Sequence, residues 1–265
     1  MKVFISADIE GVTGTTHWDE TEKKHQDYTE FREQMTAEVA AACEGALEAG
    51  ATEIWVKDAH DSARNIIASQ LPREVRLSRG WSGHPYCMMD GLNPTFQASL
   101  MIGYHARASS ASNPLSHTMS GNDVYVRIND QYASEFLINA YTSGLAKVPV
   151  VFVSGDDGLC KEAASLIPAI TSVAVKEGLG NATTSIHPGV AVEQIRSGVL
   201  TALKTRISGC YVSLPEHFTV DIQYKNHTQA YSFSFYPGVK LIDPLTIRFE
   251  SDDYFDVLRM FAFAF

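Results

Sequence analysis

The chain has 265 residues, of which 45% are hydrophobic, and this is enough for one large domain, alone or with a smaller appendage, around a sizeable core. The formal net charge of −10, with no Lys/Arg cluster and no nucleic-acid-binding motif, argues against a nucleic-acid partner. No apolar run approaches the ~20 residues that span a bilayer, and Asp8 and Glu10 interrupt the first apolar stretch, so we expect a cytoplasmic protein without a membrane partner. The widely separated cysteines predict neither a disulfide framework nor a zinc knuckle.

The first predicted strand, residues 2–5, runs directly into two carboxylates. Asp8 and Glu10 are two positions apart, so their side chains point the same way on an extended chain that Gly11 then breaks. Two neighbouring anions repel each other unless a cation or a proton separates them. Taken alone, the segment fits a metal site and a pair of helix-capping or solvated acids equally well.

Two later strands end in the same kind of residue. A predicted helix at about 28–49 leads to a strand at 54–57 that is followed by Asp58 and His60, and a strand at 98–104 is followed by His105. Strand, helix and strand favour a right-handed unit with parallel strands, and ligands of open α/β sheets bind beyond the carboxyl ends of those strands. A single histidine is more often a packed core group, but two of them at separate strand ends, beside two carboxylates, indicate a shared site.

This donor set predicts a metal ion. Imidazoles and carboxylates without thiolates match zinc or another borderline divalent ion, and bridging carboxylates could hold two ions. Asp58 is either a further ligand or an acceptor that orients the imidazole of His60, and we favour the acceptor role.

The next elements carry further candidate residues. A small-polar loop at 106–122 contains His117, and a strand at 124–128 precedes a helix at about 134–145 with Glu135 in its first turn. His117 could act as acid, base or nucleophile or stabilise an oxyanion, but its spacing does not distinguish it from other histidines. Glu135 by itself resembles an ordinary first-turn acid. Asp156 and Asp157, between a strand at 148–153 and a helix near 159–167, fit helix capping better than metal binding.

The last part of the chain changes character. A strand at 172–176 and a helix at 188–204 continue the α/β alternation, whereas a strand at 218–224, a helix at 228–235, strands at 239–242 and 245–250 and a terminal helix from about 252 indicate an antiparallel α+β unit. We therefore predict an α/β fold with a mainly parallel sheet flanked by helices. Residues 1–207 would form the metal-binding catalytic domain, and residues 208–265 a smaller C-terminal α+β subdomain.

Several motifs, in order along nearly the whole chain, resemble one known family. They are Ser-x-Asp-x-Glu-Gly at 6–11, Asp-x-His at 58–60, Gly-Tyr-His-Ala-Arg-Ala at 103–108, Ser-His-Thr-Met at 116–119, Ile-Asn-Asp at 128–130, Asn-Ala-Tyr at 139–141 and Gly-Asp-Asp at 155–157. This pattern is similar to the D-aminopeptidases of the bacterial dipeptide operon, the M55 class of metallopeptidases.

The resemblance implies a zinc-dependent hydrolase with two zinc ions per subunit. The ligands it implies are Asp8, Glu10, His60, His105 and Glu135, and His117 takes the place of the catalytic histidine, as nucleophile or transition-state stabiliser. It also implies short peptide substrates with a free amino terminus, often with an N-terminal D-residue such as D-Ala, and a homodecamer of two stacked five-membered rings. The alternatives are another dizinc amidohydrolase, acting on L-peptides or γ-glutamyl amides, or a non-catalytic metal-stabilised peptide-binding protein.

Overall fold

Residues 1–205 and 207–265 are described by the structure, a computed structural model, and they build two β-sheets and six helices. The strands of these residues, in chain order, are β1 (Lys2–Ala7), β2 (Glu53–Asp58), β3 (Val75–Ser78), β4 (Ala98–Tyr104), β5 (Asp123–Ile128), β6 (Gln131–Tyr132), β7 (Val150–Asp156), β8 (Thr171–Leu179), β9 (Ala182–Ser185), β10 (Phe218–Tyr224), β11 (Lys240–Asp243) and β12 (Thr246–Ser251). The helices are α1 (Tyr28–Glu48), α2 (Glu135–Leu145), α3 (Asp157–Leu166), α4 (Pro188–Lys204), α5 (His227–Phe233) and α6 (Tyr254–Ala264).

The larger sheet has the strand order β3-β2-β1-β4-β7-β8-β9, and all its neighbours are parallel except β8 and β9. Every residue of the central strand β4 is buried, as expected for a parallel strand covered by helices on both faces. Because β1 lies between β2 and β4, the three strand ends that precede the predicted ligands are adjacent at one edge. The predicted mainly parallel sheet flanked by helices is confirmed.

The smaller sheet is antiparallel, with the order β11-β12-β10-β5-β6. A second hydrophobic core lies between this sheet and helices α2 and α6, with Phe218 and Tyr254 among its buried aromatic residues. Strands β5 and β6 precede residue 208, so the smaller sheet takes part of its residues from the segment predicted to form the catalytic domain. The division into 1–207 and 208–265 stays a prediction.

Two elements differ from the sequence-based expectation. The residues after His60 predict a short helical piece near 65–71 that Pro72 ends, but the structure has only a single 3₁₀ turn there, at Ala68–Gln70. The backbone N–H groups of Asn65 and Ile66 donate to the carboxylate of Asp58 instead of starting a helix. The edge strand β9 was not predicted, since its small, half-exposed residues carry no strand-like apolar alternation.

Two glycines let the end of β1 lie against the end of β4. The N–H of Gly11 donates to the carbonyl of Gly103 at 2.8 Å, and the N–H of Asp8 donates to Ile102 at 2.9 Å. A Cβ on Gly11 would lie 1.7 Å from the carbonyl oxygen of Tyr104, and one on Gly103, at φ +70°, would lie 2.3 Å from that of Asp8. Only residues without a side chain permit this approach, which brings the acids after β1 close to His105.

Across the two described ranges, no helix combines the length and apolar character required to cross a membrane.

Candidate metal centre

Five predicted ligands converge at the carboxyl edge of the larger sheet. Each is at most 8% exposed. They come from the segment after β1, the loops after β2 and β4, and the first turn of α2, and they are Asp8, Glu10, His60, His105 and Glu135.

His60 faces both acids of the first segment. Its Nδ1 lies 3.2 Å from Oδ1 of Asp8 and 3.1 Å from Oε2 of Glu10. On the other side of the ring, Nε2 donates to the backbone carbonyl of Thr21 at 3.0 Å. A carbonyl only accepts, so Nε2 keeps its hydrogen and Nδ1 is the atom available for a cation.

His105 is held in the same manner with the opposite ring atom. Its Nδ1 donates to the carbonyl of Ala106 at 2.9 Å, which leaves Nε2 directed into the cluster. Nε2 lies 3.6 Å from Oδ2 of Asp8 and 3.5 Å from Oε2 of Glu135, and it has no hydrogen-bond partner among the described residues. A fully buried nitrogen that two carboxylates approach without reaching hydrogen-bond distance fits a cation between them.

His117 lies beside this cluster on the loop between β4 and β5. Its Nδ1 bonds to the carbonyl of Leu115 at 2.9 Å, and its Nε2 lies 3.5 Å from Oε1 of Glu135. The ring stacks on His105 with 4.3 Å between centroids, and Trp18 packs edge-on at 5.3 Å. Burial and the neighbouring His105 lower the pKa of His117.

The possible donor atoms form two groups that share His105. Atoms of Asp8, Glu10 and His105 lie within 4.8 Å of one another, and so do atoms of His105, His117 and Glu135. Because Nε2 of His105 has a single lone pair, it can bind a cation in only one of the two groups, and the second group brings His117 close enough to bind a cation as well as to react.

The buried acids and imidazoles of the cluster shift one another's pKa values. Burial and the neighbouring Glu10 raise the pKa of Asp8 well above its usual value, whereas His60 holds the pKa of Glu10 well below the usual value in spite of burial. Burial opposes the charging of His105, but Glu135 raises its pKa to about 10, and His105 in turn lowers the pKa of Glu135 to about 2. A divalent cation would replace the proton that His105 holds at this raised pKa.

Asp58 supports the loop, and none of the hydrogen bonds among the described residues joins it to the imidazole of His60. Its oxygens accept hydrogen bonds from the N–H groups of Asn65 and Ile66 at 2.5 and 2.8 Å and from the Asn65 side chain at 2.8 Å. The same Asn65 amide donates to the carbonyl of His60 at 2.7 Å. Asp58 therefore fixes the backbone that carries His60. The role predicted for Asp58, to orient the imidazole ring, belongs to the backbone carbonyl of Thr21.

Asp156 and Asp157 lie outside the cluster. Asp156 caps α3 by accepting the N–H of Leu159 at 2.9 Å, and it also accepts the N–H of Ala106 at 2.7 Å, which anchors the residue after His105. Asp157 forms an exposed ion pair with Lys161. Capping was the favoured interpretation for this pair.

Three contributors to the site were not predicted. Trp18 and Thr21 belong to a 3₁₀ turn at Trp18–Glu20 and its end, and a His17/Glu20 capping box starts this turn. Histidine is not the Ser or Thr that marks a capping box in a sequence, so the box gave no signal. Lys176 on β8 is buried, and its ammonium donates to the carbonyls of Glu10 and Thr15. A lone lysine on a strand gives no local indication of such a role.

Three of the cavities among the described residues lie at or next to the cluster. The metal pocket, about 370 Å³, is lined by Asp8, His60, His117, Met119, Glu135 and their neighbours. An apolar pocket of about 200 Å³ adjoins it and shares Trp81, Cys87, Met119 and Phe265 with it. A polar recess of about 530 Å³ opens on the side of Glu10, His60 and His117.

Comparison with known proteins agrees with this architecture. The model of peptidase family M55, described as D-aminopeptidase, matches residues 1–263. A D-aminopeptidase of Bacillus subtilis (strain 168) is 31% identical over 261 residues, which cover 98% of this chain and 94% of that protein. A solved structure, the Zn-dependent D-aminopeptidase DppA from Bacillus subtilis, described as a self-compartmentalizing protease, superposes with a TM-score of 0.94 at 30% identity and covers 100% of this chain and 96% of that one. The chain therefore belongs to the M55 family of D-aminopeptidases and is a metallo-aminopeptidase.

Proposed function

We propose that this protein is a zinc-dependent aminopeptidase that removes an N-terminal D-residue, of the D-Ala type, from short peptides. The proposed ligands of two zinc ions per subunit are Asp8, Glu10, His60, His105 and Glu135. The observation that carries the proposal is the buried Nε2 of His105, which faces Asp8 and Glu135 at 3.6 and 3.5 Å without a hydrogen-bond partner in the described part of the chain.

The donor set supports zinc. Two imidazoles and three carboxylates, each fixed by the fold, suit a borderline divalent ion, and the structural relative is described as Zn-dependent. Zinc bound there would polarise the scissile carbonyl and lower the pKa of a bound water molecule to about 7. Thr21 and Ala106 hold the rings of His60 and His105 by their remaining nitrogens, so the protein pre-orients both donors.

His117 is the proposed catalytic residue. Since Nδ1 donates to Leu115, the lone pair is on Nε2, and the lowered pKa keeps the ring neutral near pH 7. This nitrogen can take a proton from the reacting group, and the resulting imidazolium can stabilise negative charge on the carbonyl oxygen. Stacking on His105 and contact with Trp18 fix the ring in the position that both roles require.

We also propose that the protein works as a cytoplasmic homo-oligomer, a decamer of two five-membered rings. The structural relative is described as a self-compartmentalizing protease. Large aromatic side chains at the surface, with Tyr231 60%, Phe235 68% and Phe263 68% exposed, support burial in subunit contacts. Size-exclusion chromatography with light scattering measures the mass directly, and a monomer at micromolar concentration would contradict the assembly.

The decisive experiment couples metal analysis to peptide hydrolysis. Zinc-loaded protein is incubated with D-Ala-D-Ala and with L-Ala-L-Ala, and released alanine is separated by chiral chromatography. We expect about two zinc ions per subunit and faster release from the D-peptide. Hydrolysis of L-peptides or γ-glutamyl amides alone would favour the other amidohydrolase function. Zinc binding with no hydrolysis of any peptide would favour a non-catalytic peptide-binding protein.

A further inference from the structure

We propose that Asn113 is a positioning residue for the reaction, because its side chain connects the segment that carries Glu10 to the loop that carries His117. This inference rests on the proposed aminopeptidase function and adds a residue outside the ligand set to that site. It implies that loss of the Asn113 amide displaces the proposed catalytic histidine from the metal ligands without removing the metal.

The buried amide of Asn113 faces two acceptors. Its Nδ2 donates to the backbone carbonyl of Glu10 at 3.0 Å and to Oδ2 of Asp156 at 3.1 Å. A carbonyl and an ionised carboxylate only accept, so the nitrogen of the amide lies on this side, and each of its two hydrogens has a partner. Because Asn113 is only 2% exposed, bulk water does not compete for these hydrogen bonds.

The oxygen of the same amide shapes the turn before His117. Oδ1 of Asn113 accepts the backbone N–H of Leu115 at 2.9 Å, and the main-chain carbonyl of Asn113 accepts that of Ser116 at 3.1 Å. An asparagine followed by a proline, here Pro114, favours such a turn. The carbonyl of Leu115 then accepts from Nδ1 of His117 at 2.9 Å. The orientation of the His117 ring therefore depends on a turn that Asn113 closes.

Asp156 connects the Asn113 amide to the support of a second imidazole. Oδ2 of Asp156 accepts the N–H of Ala106 at 2.7 Å in addition to the amide. The carbonyl of Ala106 in turn accepts from Nδ1 of His105, and the ring of His105 stacks on that of His117. Asn113 therefore belongs to one network of contacts with both imidazoles.

The metal ligands do not depend on Asn113 alone. The carbonyl of Glu10 also accepts from the buried ammonium of Lys176, and Asp156 also accepts the N–H of Ala106. Both partners of the Asn113 amide therefore keep another donor when the amide is removed. The connection to the loop is what is lost, and a displacement of about 1 Å can lower a rate by about 10²-fold.

The first test removes the amide and measures turnover together with metal binding. In zinc-loaded Asn113→Ala we expect zinc content equal to wild type and a kcat for D-Ala-D-Ala about 10–100-fold lower, with KM changed by less than about 3-fold. The control Asn122→Ala, at the exposed end of the same loop, should change none of these quantities. An unchanged kcat in Asn113→Ala, or a loss of zinc that accounts for the lost turnover, would overturn the proposal.

The second variant separates the two halves of the side chain. Asn113→Asp keeps an oxygen for the N–H of Leu115 but replaces the donor by an acceptor, which then faces the carbonyl of Glu10 and the carboxylate of Asp156. We expect the loss of kcat to be at least as large as in Asn113→Ala. A wild-type kcat in Asn113→Asp would show that only the turn matters and would contradict the proposed connection.

A double-mutant cycle shows whether Asn113 acts through His117. If it does, Asn113→Ala should lower kcat by less than about 2-fold in a His117→Ala background, because the group that it positions is absent. A merely structural role would lower kcat by the same factor in both backgrounds, and this result would count against the proposal.

Hydrogen exchange separates this inference from the proposed function, because it needs no turnover. In metal-free Asn113→Ala, peptides that cover residues 113–118 should exchange about 10-fold faster than in wild type, the effect of one lost hydrogen bond, while peptides from β5 should exchange as before. Equal exchange at 113–118 in both proteins, with peptide hydrolysis by wild type, would reject the role of Asn113 and leave the aminopeptidase function standing. Faster exchange in a protein that hydrolyses no peptide would support the connection and reject the function.

Discussion

The imidazole rings of His105 and His117 stack nearly parallel, with centroids 4.3 Å apart and 16° between their planes. The two rings nevertheless face different surroundings. Nε2 of His105 is enclosed between two carboxylates, whereas Nε2 of His117 lies 3.5 Å from Glu135 and borders the metal pocket. We therefore expect a change at His117 to affect catalysis without removing the metal.

Replacement of His117 tests this separation. In His117→Ala we expect zinc content equal to wild type and a fall in kcat/KM of about 10²–10⁴-fold, the usual contribution of a positioned acid or base. Zinc is measured by mass spectrometry of the purified protein and turnover with D-Ala-D-Ala. His227→Ala, at an exposed position on α5, is the control and should change neither quantity. Loss of one zinc ion would identify His117 as a ligand.

Loss of the support provided by Asp58 should weaken metal binding. Both backbone N–H groups donate to Oδ2 of Asp58, whereas Oδ1 accepts from the side-chain amide of Asn65. Asp58→Asn keeps one acceptor oxygen but places an NH₂ group against the Asn65 amide, so two donors face each other. We expect zinc affinity to fall by about 10–100-fold through misplacement of His60. Competition with a fluorescent chelator measures it. Asp61→Asn, at an exposed position in the same loop, serves as control, and equal affinities for both variants would argue against the supporting role.

The close approach of the strand ends makes Gly11 sensitive to any side chain. Gly11→Ala places a methyl group 1.7 Å from the backbone oxygen of Tyr104, so one of the two segments must move. We expect a loss of about 1–3 kcal/mol or more in the free energy of unfolding, together with weaker zinc binding. Gly121→Ala, where no atom lies within 4 Å of the added carbon, should be near neutral by the same thermal unfolding measurement.

Zinc binding should release protons. The pKa of His105 is raised to about 10, and that of His60 is raised well above its usual value. Both imidazoles are therefore in the charged form, with a proton on each nitrogen, at pH 7 in the metal-free protein. Each must lose one of these protons to bind a cation. Zinc affinity should therefore fall as the pH is lowered from 8 to 6. Titration in weakly buffered solution with an indicator dye detects the released protons, and an affinity independent of pH would contradict the proposed ligands.

Asp123 should make stability fall as the pH rises. This acid at the start of β5 is buried, its oxygens have no hydrogen-bond partner among the described residues, and burial raises its pKa to about 8. Between about pH 4 and pH 8 the folded state holds a proton that the unfolded state has lost, so the free energy of unfolding decreases through this window.

Asp123→Asn removes that titration. Relative to wild type, the variant should gain about 1–3 kcal/mol more at pH 8 than at pH 5, measured by thermal unfolding of zinc-loaded protein. Asp130→Asn, at an exposed turn, provides the comparison and should show no such change. A constant difference between Asp123→Asn and wild type across this range would show that Asp123 does not titrate there.

The sequence could predict those site residues that directly follow a strand. Apolar runs that end in Asp8, His60 and His105 are local patterns, and the rules for parallel sheets bring their ends together. Glu135 has no such local signal, because its position depends on how α2 crosses the sheet, and only the family resemblance pointed to it. The contact of Thr21 with His60 likewise comes from the packing of a separate turn.

The same limit applies to the fold. The alternating burial of β5 shows that it is a strand, but its partner β10 lies about ninety residues later, and no local pattern encodes that pairing. The unexpected membership of β5 and β6 in the smaller sheet follows from this long-range pairing.

The placement of β5 between His105 and Glu135 has a consequence for biosynthesis. The proposed donors are spread over the first half of the chain, but the strand inside that span pairs with β10, which the ribosome makes much later. During synthesis, all five proposed donors are therefore present before the smaller sheet can form. That sheet stabilises the segment between His105 and Glu135. A metal ion that binds at that stage would bind to ligands that are held less rigidly than those of the folded subunit.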